Sequence, residues 1–252
     1  MGSSPIRMSF PRALLDRCRN LKKEWLLRRR SCEEAFTEVY EQNRWGGRLG
    51  EYYSGAGSSE EAIVGPYIEA VSREAAAEGF RGLRFVDLGC GDFQVGARLL
   101  GLCSAYTGVD VVKALIAQNQ RTHGSDRVRF VHLDMVRDEL PDGDVCFVRQ
   151  VFQHLSNRQI GAVLPKLGKY RWVLITEHYP EDGEESAAIV PNKDIVHGGG
   201  LRIFVNSGVY LDRPPFNLPE GRLRKVLELS KITTPAGPVP GIIRTFLYQP
   251  RG

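Results

Sequence analysis

The stretch "FVDLGCGDFQVGARLL", residues 85–100, decides the fold. Its first half continues from Leu83 as "LRFVDLG", a short apolar run that reads as a strand buried on both faces. Its second half, "QVGARLLG", reads as a helix, and Gly89 and Gly91 between them permit a tight turn with close backbone approach to a ligand. The same alternation repeats downstream. "AYTGVD" (105–110) leads into the helix "VVKALIAQNQR" (111–121), then come the strands "VRFVHLD" (128–134) and "GDVCFVRQ" (143–150). The helix "SNRQIGAVLPKL" (156–167) and the strand "YRWVLITEH" (170–178) complete the series. Such a pattern predicts a parallel sheet with helices on both faces. Past residue 180 the chain turns polar and rich in glycine and proline to about Gly221, after which "LRKVLELS" and "GIIRTFLYQ" predict an antiparallel pair closing the sheet's edge.

The glycine turn also narrows the ligand. A dinucleotide fingerprint wants G-x-G-x-x-G, but Gln94 fills the third glycine position, and Asp87 and Asp92 flank the loop where they would repel a pyrophosphate. A ligand bearing an ammonium and a sulfonium would welcome those carboxylates, and S-adenosylmethionine (SAM) is such a ligand. "FVDLGCGD" resembles the first motif of class I SAM-dependent methyltransferases, and the elements over residues 83–178 follow that family's order. The resemblance implies a Rossmann-like α/β fold: a mostly parallel seven-stranded sheet with helices on both faces, an antiparallel edge strand and an N-terminal helical extension. It places residues 1–80 as extension and lid and 81–252 as the SAM-binding domain. It implies that Gly89, Cys90 and Gly91 line the methionine part of the cofactor, with Asp87 and Asp92 beside them. Asp110, followed by Val111, matches the acid that binds the ribose hydroxyls, since a carboxylate accepts both protons. Asp134 and Met135 match the position beside the adenine, and Gln150 the position facing the reacting centre.

A looser resemblance sits upstream. "NRWGG…YYSGAGSS" is similar to the leader of bacterial methyltransferases of small molecules and glycans, which implies a lid built from Trp45, Tyr53, Ser54 and Gly55. A bare connection ordered by a helix cap at Ser58 is the other reading. Ser31 with Glu34 and Ser58 with Glu61 both read as capping boxes, and Pro66 is expected to kink the helix running to about Gly79.

Composition sets the outer bounds. With 252 residues, 42% hydrophobic, 25% charged and a net charge of +4, the chain has the make-up of an ordinary globular protein. No apolar run is long enough to cross a bilayer, and "MGSSPIRMSF" lacks the core of a secretory signal, so the reading is cytoplasmic. The five cysteines form no C-x-x-C pair and no zinc set. "RALLDRCRNLKKEWLLRRR" (12–30) reads as a basic amphipathic helix, packed by its apolar stripe or docking RNA or an anionic surface.

Methyl transfer to a hydroxyl needs a general base near the tips of the fourth and fifth strands. His154, Glu177 and His178 are the candidates, with His197 in the presumed lid. A further stretch, "RPPFNLP" (213–219), differs from the signature of amino-group N-methyltransferases, which follows the fourth strand and opens on Asn or Asp. A proline-aromatic wall is expected instead, with Arg213 and Phe216 facing the acceptor beside Trp45. No metal is assigned, and Asp182, Glu184 and Glu185 read as a solvated acidic loop. The leading expectation is O-methylation of a small molecule, favouring a sugar or glycan precursor. The competitors are an RNA or protein methyltransferase and a non-catalytic SAM-fold protein, with a homo-oligomer left open.

Overall fold

The structure is a computed structural model, describing residues 29–48, 50–181, 188–219, 222–235 and 237–250. The expected basic helix over 12–30, apart from its last two residues, and the acidic loop of Asp182, Glu184 and Glu185 lie outside the described residues. The helices are α1 (Cys32–Glu41), α2 (Ala56–Ser59), α3 (Glu61–Ala77), α4 (Gln94–Leu99), α5 (Lys113–His123) and α6 (Asn157–Val163). The strands are β1 (Leu83–Leu88), β2 (Cys103–Asp110), β3 (Val128–His132), β4 (Val145–Arg149), β5 (Trp172–Tyr179), β6 (Leu223–Leu229), β7 (Thr233–Thr234), β8 (Gly237–Pro238) and β9 (Ile242–Tyr248).

Seven strands form one sheet in the order β3-β2-β1-β4-β5-β9-β6. The first five pair in parallel, and β9 runs antiparallel between β5 and β6. The topology reverses between β1 and β4, so a crevice opens there above the carboxyl ends of the strands. Side-chain alternation explains why both faces are covered. Val86, Leu88, Cys146, Val148, Val173 and Ile175 pack on one face with residues of α1 and α6. Phe85, Val145, Phe147, Trp172 and Leu174 pack on the other with Tyr67 and Val71 of α3. The described residues before β1 therefore pack into these same cores.

Ser31 and Glu34 form the expected capping box on α1. The second expected box does not form. Gly55, at φ 89°, lets the chain wind into α2 early, which absorbs Ser58 into a helical turn. Glu60 then stands at the N-cap of α3 and makes no side-chain cap. Pro66 is accommodated within α3, which continues to Ala77; Gly79, at φ 72°, turns the chain after it.

The long connection from β5 to β6 folds back across the strand tips. Arg202, fully buried, donates through Nη1 to the Lys193 carbonyl and through Nη2 to the Leu155 carbonyl, both at 2.5 Å. Asn192 donates to the carbonyls of Tyr210 and Pro214, both at 2.8 Å. No described helix is long and apolar enough to cross a membrane.

Candidate functional site

A cleft of about 430 Å³ opens at the β1/β4 crevice. Its floor is the loop after β1 and the tips of β2, β4 and β5; its roof is α1, residues 54–58, the turn at 201–204 and the β7–β8 arm. Gly89 (φ 78°) has no room for a side chain, because a Cβ there would lie 2.5 Å from Cγ2 of Val151. Gly91 is held from both sides. Its N–H donates to Oδ2 of Asp110 at 3.2 Å, and its carbonyl accepts from Asn119 Nδ2 at 2.8 Å. Asn119 is a residue the motif reading missed, and its signal, a polar side chain on the inner face of α5, is weak.

Gly89, Cys90, Gly91, Asp110, Val111, Asp134, Met135 and Gln150 all line the cleft. Asp110 is buried, which pushes its carboxyl up, while N–H donors from Val112 (3.0 Å) and Gly91 pull it back. Asp134 accepts from the Val136 N–H at 2.9 Å, making a turn that presents Met135. Gln150 adopts φ 54°, its N–H donating to the Thr176 carbonyl at 2.6 Å. Burial, and then Asp110, push the Cys90 thiol well up, which disfavours its thiolate.

Asp87 and Asp92 stand beside the glycine turn, on a side pocket shared with Gly89 and Cys90. Neither lines the main cleft. Asp87 accepts a hydrogen bond from the Tyr106 hydroxyl, and burial pushes its carboxyl up to about 6. The side pocket, of about 20 Å³, has the room of a single water and is bordered by Arg149 as well. Asp92 pairs reciprocally with the segment before α2: Ser54 N–H donates to Asp92 Oδ2 at 2.9 Å, and Asp92 N–H donates to Ser54 Oγ at 2.8 Å. The Tyr40 and Ser54 hydroxyls share a further bond of 3.0 Å. Ser54 and Gly55 thus face the cleft, whereas Tyr53 turns away to bond Ser59 at 2.7 Å.

Arg149, unpredicted from the sequence, closes the floor. It ends β4, donates through Nη2 to the Gly57 carbonyl at 2.5 Å, and stacks 4.8 Å from the Tyr67 ring centroid. Its Nε is buried without a partner, and burial lowers its pKa against the pull of Asp87 and Asp92. A charged residue ending an otherwise apolar strand was the available signal.

The base candidates separate cleanly. Glu177 is fully buried and off the cleft, its Oε1 and Oε2 accepting from the N–H groups of Phe152 (2.8 Å) and Gln153 (2.9 Å). Burial pushes it up to about 8, and it serves the loop after β4, not the reaction space. His154 lines the cleft between Phe36 and Trp45, 5.0 Å from the Trp45 ring, and donates through Nδ1 to the Gly200 carbonyl at 3.0 Å. Burial drops its pKa to about 4. His178, also on the cleft, donates through Nε2 to the Pro240 carbonyl, and burial lowers its pKa too. His197 lies outside the cleft, beside Gln159. Trp45 lines the cleft, its Nε1 donating to the Gly199 carbonyl at 3.3 Å. Arg213 and Phe216 do not reach it. Arg213 is exposed over the Tyr210 ring and Phe216 packs on the core, because Asn192 ties their segment to the outer side of the connection. Among the described residues no group of three or more His, Cys, Asp or Glu is placed to hold a metal.

Residues 86–163 match the family model described as a methyltransferase domain. No curated protein matches the chain. Three similar solved structures are methyltransferases. The N-methyltransferase NodS of Bradyrhizobium japonicum WM9, bound to S-adenosyl-L-homocysteine (SAH), has a TM-score of 0.55 at 10% identity, covering 85% of this chain and 99% of that one. The 1,6-didemethyltoxoflavin-N1-methyltransferase of Burkholderia thailandensis scores 0.51 at 15% identity, covering 98% and 93%. The magnesium protoporphyrin IX methyltransferase of Synechocystis PCC 6803 scores 0.51 at 13% identity, covering 84% and 94%. At such identities the likeness is one of fold. The family model covers the stretch from β1 through α6, which builds the floor of the cleft.

Proposed function

We propose that the chain is a SAM-dependent methyltransferase, that S-adenosyl-L-methionine is its cofactor, and that it acts on a hydroxyl of a small molecule with His178 as the general base. The cleft's residues suit the cofactor. Asp110 and Asp134 offer carboxylate oxygens for hydroxyl and amine protons, Gly89 leaves the floor bare, and Arg149 carries an orphaned N–H suited to a carboxylate. When bound, the cofactor supplies a methyl carbon made electrophilic by its sulfonium.

One observation carries the choice of base. The Pro240 carbonyl takes the Nε2 proton of His178, which leaves Nδ1 as the lone-pair nitrogen of a neutral ring on the cleft. His154 is the weaker candidate, since its Nδ1 proton is held by Gly200, its Nε2 faces Gln153 Nε2 at 3.4 Å, and a pKa near 4 makes it a poor base. His178 would accept the acceptor's hydroxyl proton as the methyl group is transferred, and would then release that proton to solvent. Neither a sugar acceptor nor a macromolecular one draws specific support from the described lining.

With methyl-labelled SAM and a panel of phenols and alcohols, His178→Gln is expected to lower kcat by about 10²–10⁴-fold, the usual contribution of a positioned base. SAH affinity should stay unchanged by calorimetry. Because the active form is neutral and burial depresses its pKa, the wild-type rate should hold as pH falls through 6.5 and drop only below it. Unchanged kcat in the variant, or a product methylated on nitrogen, would overturn the assignment.

The lid is proposed to grip the cofactor through Ser54. Ser54→Ala removes the acceptor for the Asp92 N–H and the partner of Tyr40. At about 1 kcal/mol for each such bond, SAH affinity is expected to fall roughly tenfold or somewhat more, measured by calorimetry. An unchanged affinity would mean that the clasp is irrelevant to binding.

A further inference from the structure

We infer, building on the methyltransferase reading above, that the acceptor is a molecule with an apolar body and a hydrogen-bond donor besides the group that is methylated. The sheet order sorts the cleft's lining. Its carboxylates, Asp110 and Asp134, end β2 and follow β3, and among the described residues its lining arginine, Arg149, ends the central β4. Toward β5 and β9 the described lining carries no charge, and Ile63, Ile203, Phe204, Val239 and Ile243 make the wall. Sugars are held by dense sets of hydrogen-bonding side chains, which this wall lacks, whereas an apolar wall rewards an apolar ligand.

Phe204 strengthens the case. It is 75% exposed yet stands in a turn that the neighbouring Arg202, 0% exposed, fastens to the Leu155 and Lys193 carbonyls. Its exposure is therefore built in, at the rim of a ligand cleft, beside Val205 at 37%.

Gln153 supplies the polar requirement. It lines the cleft at 4% exposure, and its Oε1 is buried with no partner. Flipping the amide in place does not satisfy that oxygen. Its Nε2 faces the Gln150 carbonyl and His154 Nε2, both at 3.4 Å, and both are acceptors once Gly200 has taken the Nδ1 proton. Oε1 is closed off from solvent as well as from protein donors, so a turn of this cleft-lining side chain toward an O–H or N–H of the acceptor is what would satisfy it. The methylated hydroxyl spends its single proton on His178, so the donor to Gln153 must be a second O–H or N–H of the acceptor.

The test uses the full-length protein saturated with SAH, with 2,3-dihydroxynaphthalene, 2-naphthol and methyl α-glucopyranoside as probes in calorimetry. The dihydroxy probe should bind tightest and the glucoside not measurably. Phe204→Ser should weaken both naphthols about tenfold through lost apolar burial. Val190→Ser, at another exposed apolar residue away from the cleft, should change nothing. Gln153→Leu should erase the preference for the dihydroxy probe with SAH affinity intact. Binding of the glucoside over the naphthols, indifference to Phe204→Ser, or a loss confined to SAH in Gln153→Leu would overturn the inference. Failure of the wild type to bind SAH at all would instead strike the methyltransferase reading beneath it.

Discussion

Glu177→Ala is expected to destabilise the fold by about 3–5 kcal/mol, because it strands buried groups that have no other partner. Two backbone donors, Phe152 N–H and Gln153 N–H, end on this one carboxyl group at 2.8 and 2.9 Å, inside a site with no exposure. Arg202, itself fully buried, is drawn electrostatically to the same group. Each orphaned donor costs about 1–3 kcal/mol, and the guanidinium loses its nearby counter-group. For a chain of this size, 1 kcal/mol corresponds to about 2–4 °C, so the melting temperature should fall on the order of 10 °C by calorimetry. Glu177→Gln keeps one acceptor oxygen and should fall in between. The pair of variants separates a structural role from a chemical one. If Glu177 were the base, the glutamine would abolish turnover with an unaltered melting temperature, and that result would sink the structural assignment.

Glu177 also shows where sequence reading stops. Its place beside His178 at the tip of a strand made it look like a reaction-centre acid, and only the 25-residue separation to Phe152 bridged by folding reveals its partner. Asp87 and Asp92 teach the same point. Flanking the glycine turn, they read as a negative lining, but Tyr106, 19 residues away, and Ser54, 38 residues away, take them for internal bonds. The cleft's negative character comes from Asp110 and Asp134, and its floor includes a cation, Arg149. What could be read was whatever is local. Short, nearly continuous apolar runs disclosed the strands, which fold into a sheet buried on both faces, and the Gly89–Gly91 pair disclosed the turn above β1. Asp110 and Asp134 were singled out by the resemblance to the order of the family's elements, and both line the cleft. The Ser58 cap failed on a backbone matter, since the φ of Gly55 decides where the helix begins. Arg213 and Phe216 failed because the connection's path is set by Asn192 and Arg202, whose carbonyl partners no spacing discloses.

Asp110→Ala is expected to weaken SAH binding by about 10²-fold or more, the largest effect on ligand affinity of any single substitution in the cleft. A carboxylate offers roughly four acceptor sites, and two are filled by Gly91 N–H and Val112 N–H at 3.2 and 3.0 Å. The remaining sites belong to a side chain that lines the cleft, where the paired hydroxyls of a ribose are the donors that fit. Charged hydrogen bonds of this kind contribute about 1.5–3 kcal/mol each, so losing two accounts for that factor. The same change releases the N–H side of Gly91, leaving its carbonyl held by Asn119 and, more weakly, by the Cys90 thiol. Loop and ligand therefore fail together, and the ligand-induced rise in melting temperature should vanish along with the affinity. Asp134→Ala makes the comparison sharp. Its carboxylate is only partly buried and already engages Val136 N–H at 2.9 Å and Arg137 at 3.7 Å, leaving less for a ligand. A loss of about tenfold is expected there, from one bond and not two. Equal losses at both positions would mean that the cleft reads net negative charge alone; a loss under threefold at Asp110 would remove it from the cofactor site altogether.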